Sequence, residues 1–348
     1  MSKSIINAAV LIGYGSIGGY HAKVLDQRYG NLAIVDGNEK ARSSAAEAYP
    51  KFRVASSLDE LDAQAWEWKN SVAVIATWGP SHSEIYHKLA DLGIGGILCE
   101  KPLAHSVKAA AEMVQRATEA GIALGTHLHR EYSGFAEGIS KVQLETEIGK
   151  PYSFIVHGGA AGLVTNGIHY LGIASGLFES DPDWVVSTAQ EEAINPRSPN
   201  LRMYGGTATW SYGDGRELIM SMTNKSSIAT KMQVFYRNAV IEIFPDLQIE
   251  VRKRLDEELE KYPAVTRLGE PKNVAFQGKI PGLRPLEECT SLLLDEIEQG
   301  NTKTYPPASA LETLGGIIGA LESGKSGMRV TLPIDPNSDI GRAEWPIS

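Results

Sequence analysis

Only two cysteines occur in 348 residues, Cys99 and Cys289. Two isolated thiols cannot build a disulfide framework or a zinc cluster, and their apolar neighbours predict that both are buried. No run of about 20 apolar residues is present, nor a basic segment followed by an apolar one and a cleavage site. Neither a membrane span nor a secretion signal is therefore read, and a cytoplasmic protein is expected. Positive charge is in deficit, with 33 Lys and Arg against 42 Asp and Glu, a formal net charge of −9. That balance disfavours a nucleic-acid surface. Internal repeats and low-complexity segments are also lacking. What remains, 43% apolar and 22% charged, is the composition of a globular chain, longer than the roughly 100–200 residues of one domain. Two domains sharing a cleft are expected.

The first third has a regular beat. Short apolar runs, AAVLIG (8–13), LAIVD (32–36), SVAVIAT (71–77), GILCE (96–100) and IALGTH (122–127), alternate with segments of helical period. Such runs read as buried parallel strands with right-handed helical crossovers, a doubly wound sheet. Ile17, Tyr20, Val24 and Leu25 predict one helix face. Ser81 to Glu84 has the form of a capping box before an apolar stripe of Ile85, Leu89 and Leu92, and Ser106 predicts another cap.

Between the first run and its helix lies GYGSIGGYH, in which Gly13, Gly15 and Gly18 make G-x-G-x-x-G around Ser16 and Ile17. The first glycine permits a tight turn, the second lets backbone approach a pyrophosphate, and the third allows close helix packing. Asp36 ends the second strand, 18 residues beyond Gly18, where a carboxylate accepts hydrogen bonds from ribose hydroxyls and repels a 2′-phosphate. NAD is preferred, and NADP stays open because Lys40 and Arg42 are close by. Asp36 could instead be an ordinary turn or capping aspartate.

A dinucleotide fold names no reaction. CEKPLA (99–104) puts Glu100 and Lys101 at a carboxyl strand end, where ligands bind in open α/β sheets, and Pro102 delays the next helix. A lysine there can relay a proton from a substrate hydroxyl, or form a solvated pair with Glu100. GGAAGLVTNGIHYLGIASGLF (158–178) predicts a helix from Gly167 with His169 near its start. A lone helical histidine is a structural group as readily as a catalyst.

The ordered set GYGSIGGYH, VDGN, ATWGPSHSEI, CEKPLA, GTHLHREY and NGIHYLGIA resembles the Gfo/Idh/MocA family, the glucose-fructose oxidoreductase and inositol dehydrogenase group, through about residue 178. The resemblance implies that Ala76, Thr77, Pro80, His82 and Glu100 line the nicotinamide half of the cofactor and that Lys101 is the active-site lysine. It places Arg130 at the cofactor and the floor of the cleft, and His169 at the substrate, with Tyr132, Thr165 and Asn166 beside it. No metal is implied. Thr165 stands where family dehydrogenases often carry aspartate, and Gly172 where a second aspartate is frequent. Lys101 and His169 are accordingly expected to share the proton transfer, with Thr165 and Asn166 positioning substrate.

Beyond residue 150, PYSFIVHGG, DWVVSTAQ, RMYGGTATWSYG, RELIMSMT, KMQVFYRNAVIEIF and LQIEVRK alternate apolar with polar residues, the pattern of an antiparallel sheet with one covered face. The resemblance implies that such a sheet forms a homodimer or homotetramer interface. Trp210, Tyr212, Phe235 and Tyr236 are expected to pack in it. Residues 252–271 read as a solvated charged excursion. Late helices are expected over 285–297 and, behind a capping box at Ser309 to Glu312, over 311–321.

The expected architecture is a Rossmann domain (1–127) followed by an α+β substrate-binding and oligomerisation domain (128–348) with an open, mostly antiparallel sheet. The expected activity is NAD-dependent interconversion of a secondary hydroxyl and a ketone on a sugar, sugar nucleotide or cyclic polyol. Two alternatives stay open: a redox-neutral lyase, glycosidase or epimerase that oxidises transiently, and a non-catalytic sensor. Substrate contacts are expected among Arg130, Tyr132, His157, Asn166, Tyr170 and Arg202, and a charged nucleotide-sugar would call on Arg197, Arg202 and Lys225.

Overall fold

The computed structural model describes residues 6–159, 161–192, 201–261 and 271–348. Arg197, Ala160 and residues 262–270 of the charged excursion lie outside the described residues. The chain forms two compact units. The first runs to Tyr132 and takes in Pro285–Leu314 and Pro336–Ser348; the second comprises Ser133–Arg284 and Gly315–Asp335.

The first unit opens with β1 (Ala8–Ile12), α1 (Ser16–Arg28), β2 (Asn31–Val35), α2 (Glu39–Ala48), β3 (Arg53–Ala55) and α3 (Leu58–Ala63). It continues with β4 (Ser71–Ile75), α4 (His82–Asp91), β5 (Gly96–Glu100), α5 (Val107–Ala120), β6 (Ala123–His127) and the single turn α6 (His129–Tyr132). The six strands are parallel in the order β3-β2-β1-β4-β5-β6. This is the doubly wound dinucleotide fold, with its order reversing between β1 and β4. Strands β1, β4, β5 and β6 are buried at every position, the reason their sequences are continuous apolar runs rather than alternating ones.

Two helix faces differ from expectation. On α1 the buried residues are Gly18, His21, Ala22, Val24 and Leu25, whereas Ile17 is exposed. The helix is turned so that Gly18 meets the strand end, which carries Ile17 outward. On α4 His82, Tyr86 and Leu89 form the buried face, and the capping box is absent. The Ser81 hydroxyl instead hydrogen bonds to Thr77 Oγ1 at 2.8 Å and to the Trp78 carbonyl at 2.9 Å, inside a tight turn over Gly79–Ser81. Ser106 does cap α5, accepting from the Ala109 N–H at 3.1 Å.

The second unit carries α7 (Phe135–Thr146), β7 (Pro151–Gly159), α8 (Gly167–Phe178), β8 (Trp184–Ser187), β9 (Gln190–Glu192), β10 (Met203–Ser211) and β11 (Glu217–Thr223). Then follow β12 (Lys231–Tyr236), β13 (Ala239–Ile243), β14 (Gln248–Lys253), α9 (Asp256–Lys261) and β15 (Asn273–Lys279). The chain next contributes α10 (Leu286–Glu298) to the first unit, passes through α11 (Pro307–Ser326) and β16 (Val330–Thr331), and ends with α12 (Asp339–Arg342). The second sheet runs β15-β14-β13-β12-β7-β11-β10-β8-β16, with β9 paired to β10. It is mostly antiparallel; β7 and β11 are its parallel pair among the described strands. Alternate residues of β11 are buried and half-buried, as one covered face requires. Trp210, Tyr212 and Tyr236 are buried and Phe235 is half-buried. The Trp210 indole donates to the Gly316 carbonyl on α11 at 3.0 Å.

Residues 285–314 and 336–348, assigned by sequence to the second domain, fold with the first unit. The cause is packing between segments far apart in the chain. Cys289, Leu293 and Ile297 are buried on α10, and Leu293 and Ile297 lie over Gly125 and Gly96, where a Cβ would meet them at 2.3 and 2.4 Å respectively. Both cysteines are buried free thiols, as expected. The capping box at Ser309 is not formed, because α11 already starts at Pro307. No helix among the described residues is long and apolar enough to cross a membrane.

Candidate functional site

The turn after β1 is shaped by its glycines. Gly13 has φ +95°, and a Cβ on it would lie 2.8 Å from the Ala76 carbonyl oxygen at the end of β4. A Cβ on Gly18 would lie 1.9 Å from the Gly13 carbonyl oxygen, so α1 approaches β1 at backbone contact. Gly15 is different. It precedes α1 in extended conformation, its missing Cβ would meet nothing within 4 Å, and Gly15, Ser16 and Ile17 are exposed. Packing within the fold does not require glycine there, and a position without a side chain leaves the backbone open to the approach of a pyrophosphate. No side chain caps α1 and no acidic residue stands in its first turn, which leaves the helix N-terminus to an anion.

Asp36 follows β2. Its Oδ2 accepts from the Tyr14 N–H and its Oδ1 from the Asn38 N–H, both at 2.7 Å. The carboxylate is thereby fixed beside the glycine turn, and each oxygen keeps acceptor capacity for a ribose hydroxyl. One Arg42 nitrogen donates to the Asp36 and Gly37 carbonyls at 2.9 Å, which ties that guanidinium to backbone. Asn38 caps α2. The glycine turn, the uncapped helix end and the fixed carboxylate fit the pyrophosphate and ribose of a dinucleotide.

Across the switch point, Ala76 is buried and Thr77 and Pro80 are half-buried. His82, expected at the cofactor, is fully buried, with Nδ1 2.9 Å from the Pro102 carbonyl and Nε2 3.1 Å from the Thr77 carbonyl. Burial pushes this ring below its ordinary value. It joins the loops after β4 and β5 rather than facing solvent. The C-terminal residues brace the same loops. The Trp345 N–H donates to the His105 carbonyl at 2.9 Å, and a Cβ on Gly79 would lie 2.5 Å from the Ile347 carbonyl oxygen.

Glu100 is also placed differently from the expectation. Its side chain turns inward, where Oε1 lies 2.8 Å from both His21 Nε2 and His127 Nδ1, and Oε2 accepts from the Lys101 N–H at 3.2 Å. Burial alone would raise this carboxyl; the His127 and His21 rings together hold it well below the usual range. These atoms have ligand chemistry and lie within 4.8 Å of one another. Both imidazoles meet the same carboxylate oxygen at 2.8 Å, a hydrogen-bond distance. Lys101 is half-buried at the strand end and Arg130 half-buried on α6, whereas Tyr132 is fully buried and reaches no accessible surface.

In the second unit, Thr165, Asn166 and His169 gather at the start of α8. Thr165 is half-buried and donates to Asn166 Oδ1 at 3.1 Å, an oxygen that also accepts from the Gly162 N–H at 3.2 Å. Asn166 is exposed and His169 nearly buried. His157 is exposed and Tyr170 is buried. Arg202 pairs with Glu191 at 3.3 Å, and Lys225 is exposed.

A profile of the oxidoreductase family with the NAD-binding Rossmann fold, GFO_IDH_MocA, matches residues 7–127. That segment, about a third of the chain, is similar to the NAD-binding domain of this family. Among solved structures the chain is similar to an oxidoreductase from Agrobacterium radiobacter in complex with NAD+, L-tartaric acid and magnesium (18% identity, TM-score 0.72, covering 94% of this chain and 98% of that one). It is similar to the WlbA dehydrogenase from Bordetella pertussis in complex with NADH and UDP-GlcNAcA (18%, 0.70, 94% and 99%). It is also similar to a levoglucosan dehydrogenase in complex with NADH and levoglucosan (16%, 0.72, 94% and 99%). At these identities the likeness is one of fold. No curated protein sequence matches the chain significantly.

Sequence reasoning missed His21, His127, Thr290 and Tyr14. His21 and His127 stand inside quoted motifs, yet they are 79 and 27 residues from Glu100, and no local spacing links them.

Proposed function

We propose that the chain is an NAD-dependent oxidoreductase that interconverts a secondary hydroxyl and a ketone on a sugar, sugar nucleotide or cyclic polyol. The observation that carries this reading is the empty space over Gly15 beside the fixed Asp36 carboxylate, with Lys101 ending a strand of the same sheet. Gly13, Gly15, Ser16, Ile17 and Gly18 would hold the pyrophosphate and Asp36 the adenosine ribose, favouring NAD over NADP. Ala76, Thr77 and Pro80 border the nicotinamide half, and Arg130 stands near it on the resemblance. When bound, the nicotinamide supplies or takes the hydride. The chain's own part is the proton: Lys101 Nζ takes it from the substrate hydroxyl in oxidation and returns it in reduction, with His169 sharing the transfer. Thr165 and Asn166 orient substrate through uncharged hydrogen bonds. The similar structures that hold UDP-GlcNAcA or levoglucosan support a carbohydrate substrate. A cytoplasmic homodimer or homotetramer joined through the second sheet completes the reading.

One observation favours a redox-neutral use of the same cofactor. Thr165 carries no charge, and its hydroxyl hydrogen is donated to Asn166, which leaves only its oxygen to accept from substrate. Net NADH production separates the two readings. Absorbance of reduced nicotinamide is followed on mixing the protein with NAD or NADP and pooled sugars, inositols and nucleotide-sugars, with Lys101→Met alongside. A signal that needs the lysine supports the dehydrogenase. Full turnover by Lys101→Met refutes the proton role, and silence despite NAD binding refutes net oxidation.

A further inference from the structure

Three stretches far apart in the chain meet at one glycine of the first unit. A Cβ on Gly79 would lie 2.5 Å from the Ile347 carbonyl oxygen, 3.5 Å from its carbon and 3.3 Å from Pro102 Cγ. Gly79 belongs to the turn after β4, Pro102 to the loop after β5, and Ile347 to the stretch that follows α12. Gly79 does not have a left-handed backbone, so the close approach, rather than the turn itself, is what excludes a side chain.

Both sides of this junction are built. His82 spans the two loops, with Nδ1 2.9 Å from the Pro102 carbonyl and Nε2 3.1 Å from the Thr77 carbonyl. The Ser81 N–H and hydroxyl both donate to the Trp78 carbonyl, at 3.0 and 2.9 Å. Opposite them, Ser338 caps α12 by accepting from the Gly341 N–H at 3.0 Å, and α12 packs on α5. The Trp345 N–H then donates to the His105 carbonyl at 2.9 Å, and the Ile347 N–H to the Trp345 carbonyl at 2.8 Å. Trp345 and Ile347 are buried, Ile347 completely. Local opening is cheapest where a loop has few buried contacts, and residues 345–347 supply such contacts to both loops at once.

We infer that this stretch positions the nicotinamide half of the cofactor site. Ile347, bearing on Gly79, and Trp345, bearing on His105, hold the turn that carries Thr77 and Pro80 against the loop that carries Lys101. Both are positioning residues, acting through those loops. The other half of the site is held by different contacts: the Gly13 N–H donates to the Val35 carbonyl at 2.8 Å and the Tyr14 N–H to Asp36 at 2.7 Å. Loosening residues 345–347 therefore affects one end of a dinucleotide and spares the other. This consequence rests on the reading, proposed above, that Thr77 and Pro80 border the nicotinamide; the bracing of the two loops does not.

The test uses full-length Ile347→Ala and Ile347→Val with two probes, NAD and ADP-ribose, which lacks only the nicotinamide. By titration calorimetry both variants should bind ADP-ribose within about twofold of wild type, which also reports an intact dinucleotide fold. NAD affinity should fall at least about fivefold in Ile347→Ala and about twofold in Ile347→Val. Equal losses for the two ligands, or no loss for NAD, overturn the proposal. If Ile347→Ala fails to fold, the ratio of the two affinities in Ile347→Val decides, and a wild-type ratio overturns it. Wild-type protein that binds NAD no tighter than ADP-ribose removes the nicotinamide assignment and this proposal while the phosphate and ribose sites stand. Binding of neither ligand removes the dinucleotide reading as well. Without ligand, exchange of the Ser81 amide should be at least about fivefold faster in Ile347→Ala, or about twofold in Ile347→Val, than in wild type. Unchanged exchange refutes the bracing whatever the ligands do.

Discussion

Adding one methyl group at Gly15 or at Gly18 should separate ligand binding from folding. At Gly18 the new Cβ would lie 1.9 Å from the Gly13 carbonyl oxygen and 2.9 Å from its carbon. Ordinary contact begins near 3.4 Å, so α1 must withdraw from β1 by about 1.5 Å or the turn must rebuild, at the upper end of the ~1–3 kcal/mol cost of overpacking. For a unit of this size that corresponds to a midpoint lowered by roughly 6–12 °C. At Gly15 the methyl meets nothing within 4 Å. The weaker N-cap preference of alanine and its smaller unfolded-state entropy offset each other to within about 0.5 kcal/mol. The methyl would nevertheless occupy the pyrophosphate approach, and NAD affinity should fall at least about tenfold, ~1.4 kcal/mol. Calorimetric unfolding without ligand and titration of NAD into each variant supply the two numbers. A Gly15→Ala protein with wild-type NAD affinity would refute the assignment of that space to phosphate. A Gly18→Ala protein with an unchanged midpoint would refute the close approach of α1 to β1.

Asp36→Ser should weaken NAD by about tenfold and narrow its advantage over NADP, measured by titration of both. An unchanged ratio would remove Asp36 from the ribose site. The same variant should also lose stability, because the Tyr14 and Asn38 N–H groups lose an ionised acceptor. Gly79→Ala drives a Cβ to 2.5 Å from the Ile347 carbonyl oxygen, costing about 1–3 kcal/mol. It should speed carboxypeptidase trimming of the C-terminus, and equal trimming rates would show that Ile347 does not brace this loop. His21, His82 and His129 are all held below the unfolded value of 6.5, His129 at about 4. Below pH 6.5 the unfolded chain binds more protons, so their contribution is complete above that pH and is lost as pH falls toward the folded values. The slope is up to about 1.4 kcal/mol per pH unit for each ring. Urea midpoints should fall from roughly pH 6.5 down to pH 5, and a flat profile there would contradict the buried neutral rings.

The sequence by itself determined the dinucleotide fold, because a strand buried on both faces is apolar through its middle and a helix entering at backbone contact must carry glycine there. Gly13 and Gly18 were legible for the same reason: the tight turn and the close approach of α1 to β1 each demand glycine at one local offset. The alternation in β10 to β14 likewise follows from a sheet with one covered face. Tertiary structure decided what depends on partners distant in the chain. The apolar stripe of α10 reads the same whichever unit it covers, and only its contact with Gly96 and Gly125 assigns it to the first. Ser81 carries a capping pattern, but its hydroxyl has closer partners in Thr77 and Trp78. Glu100 and His82 are residue types that line a cofactor or bury themselves equally well. What turned them inward was the set of acceptors and donors waiting there, supplied by His21, His127, Thr77 and Pro102, because a buried polar group must find a partner and the chain's order does not say which one folds within reach.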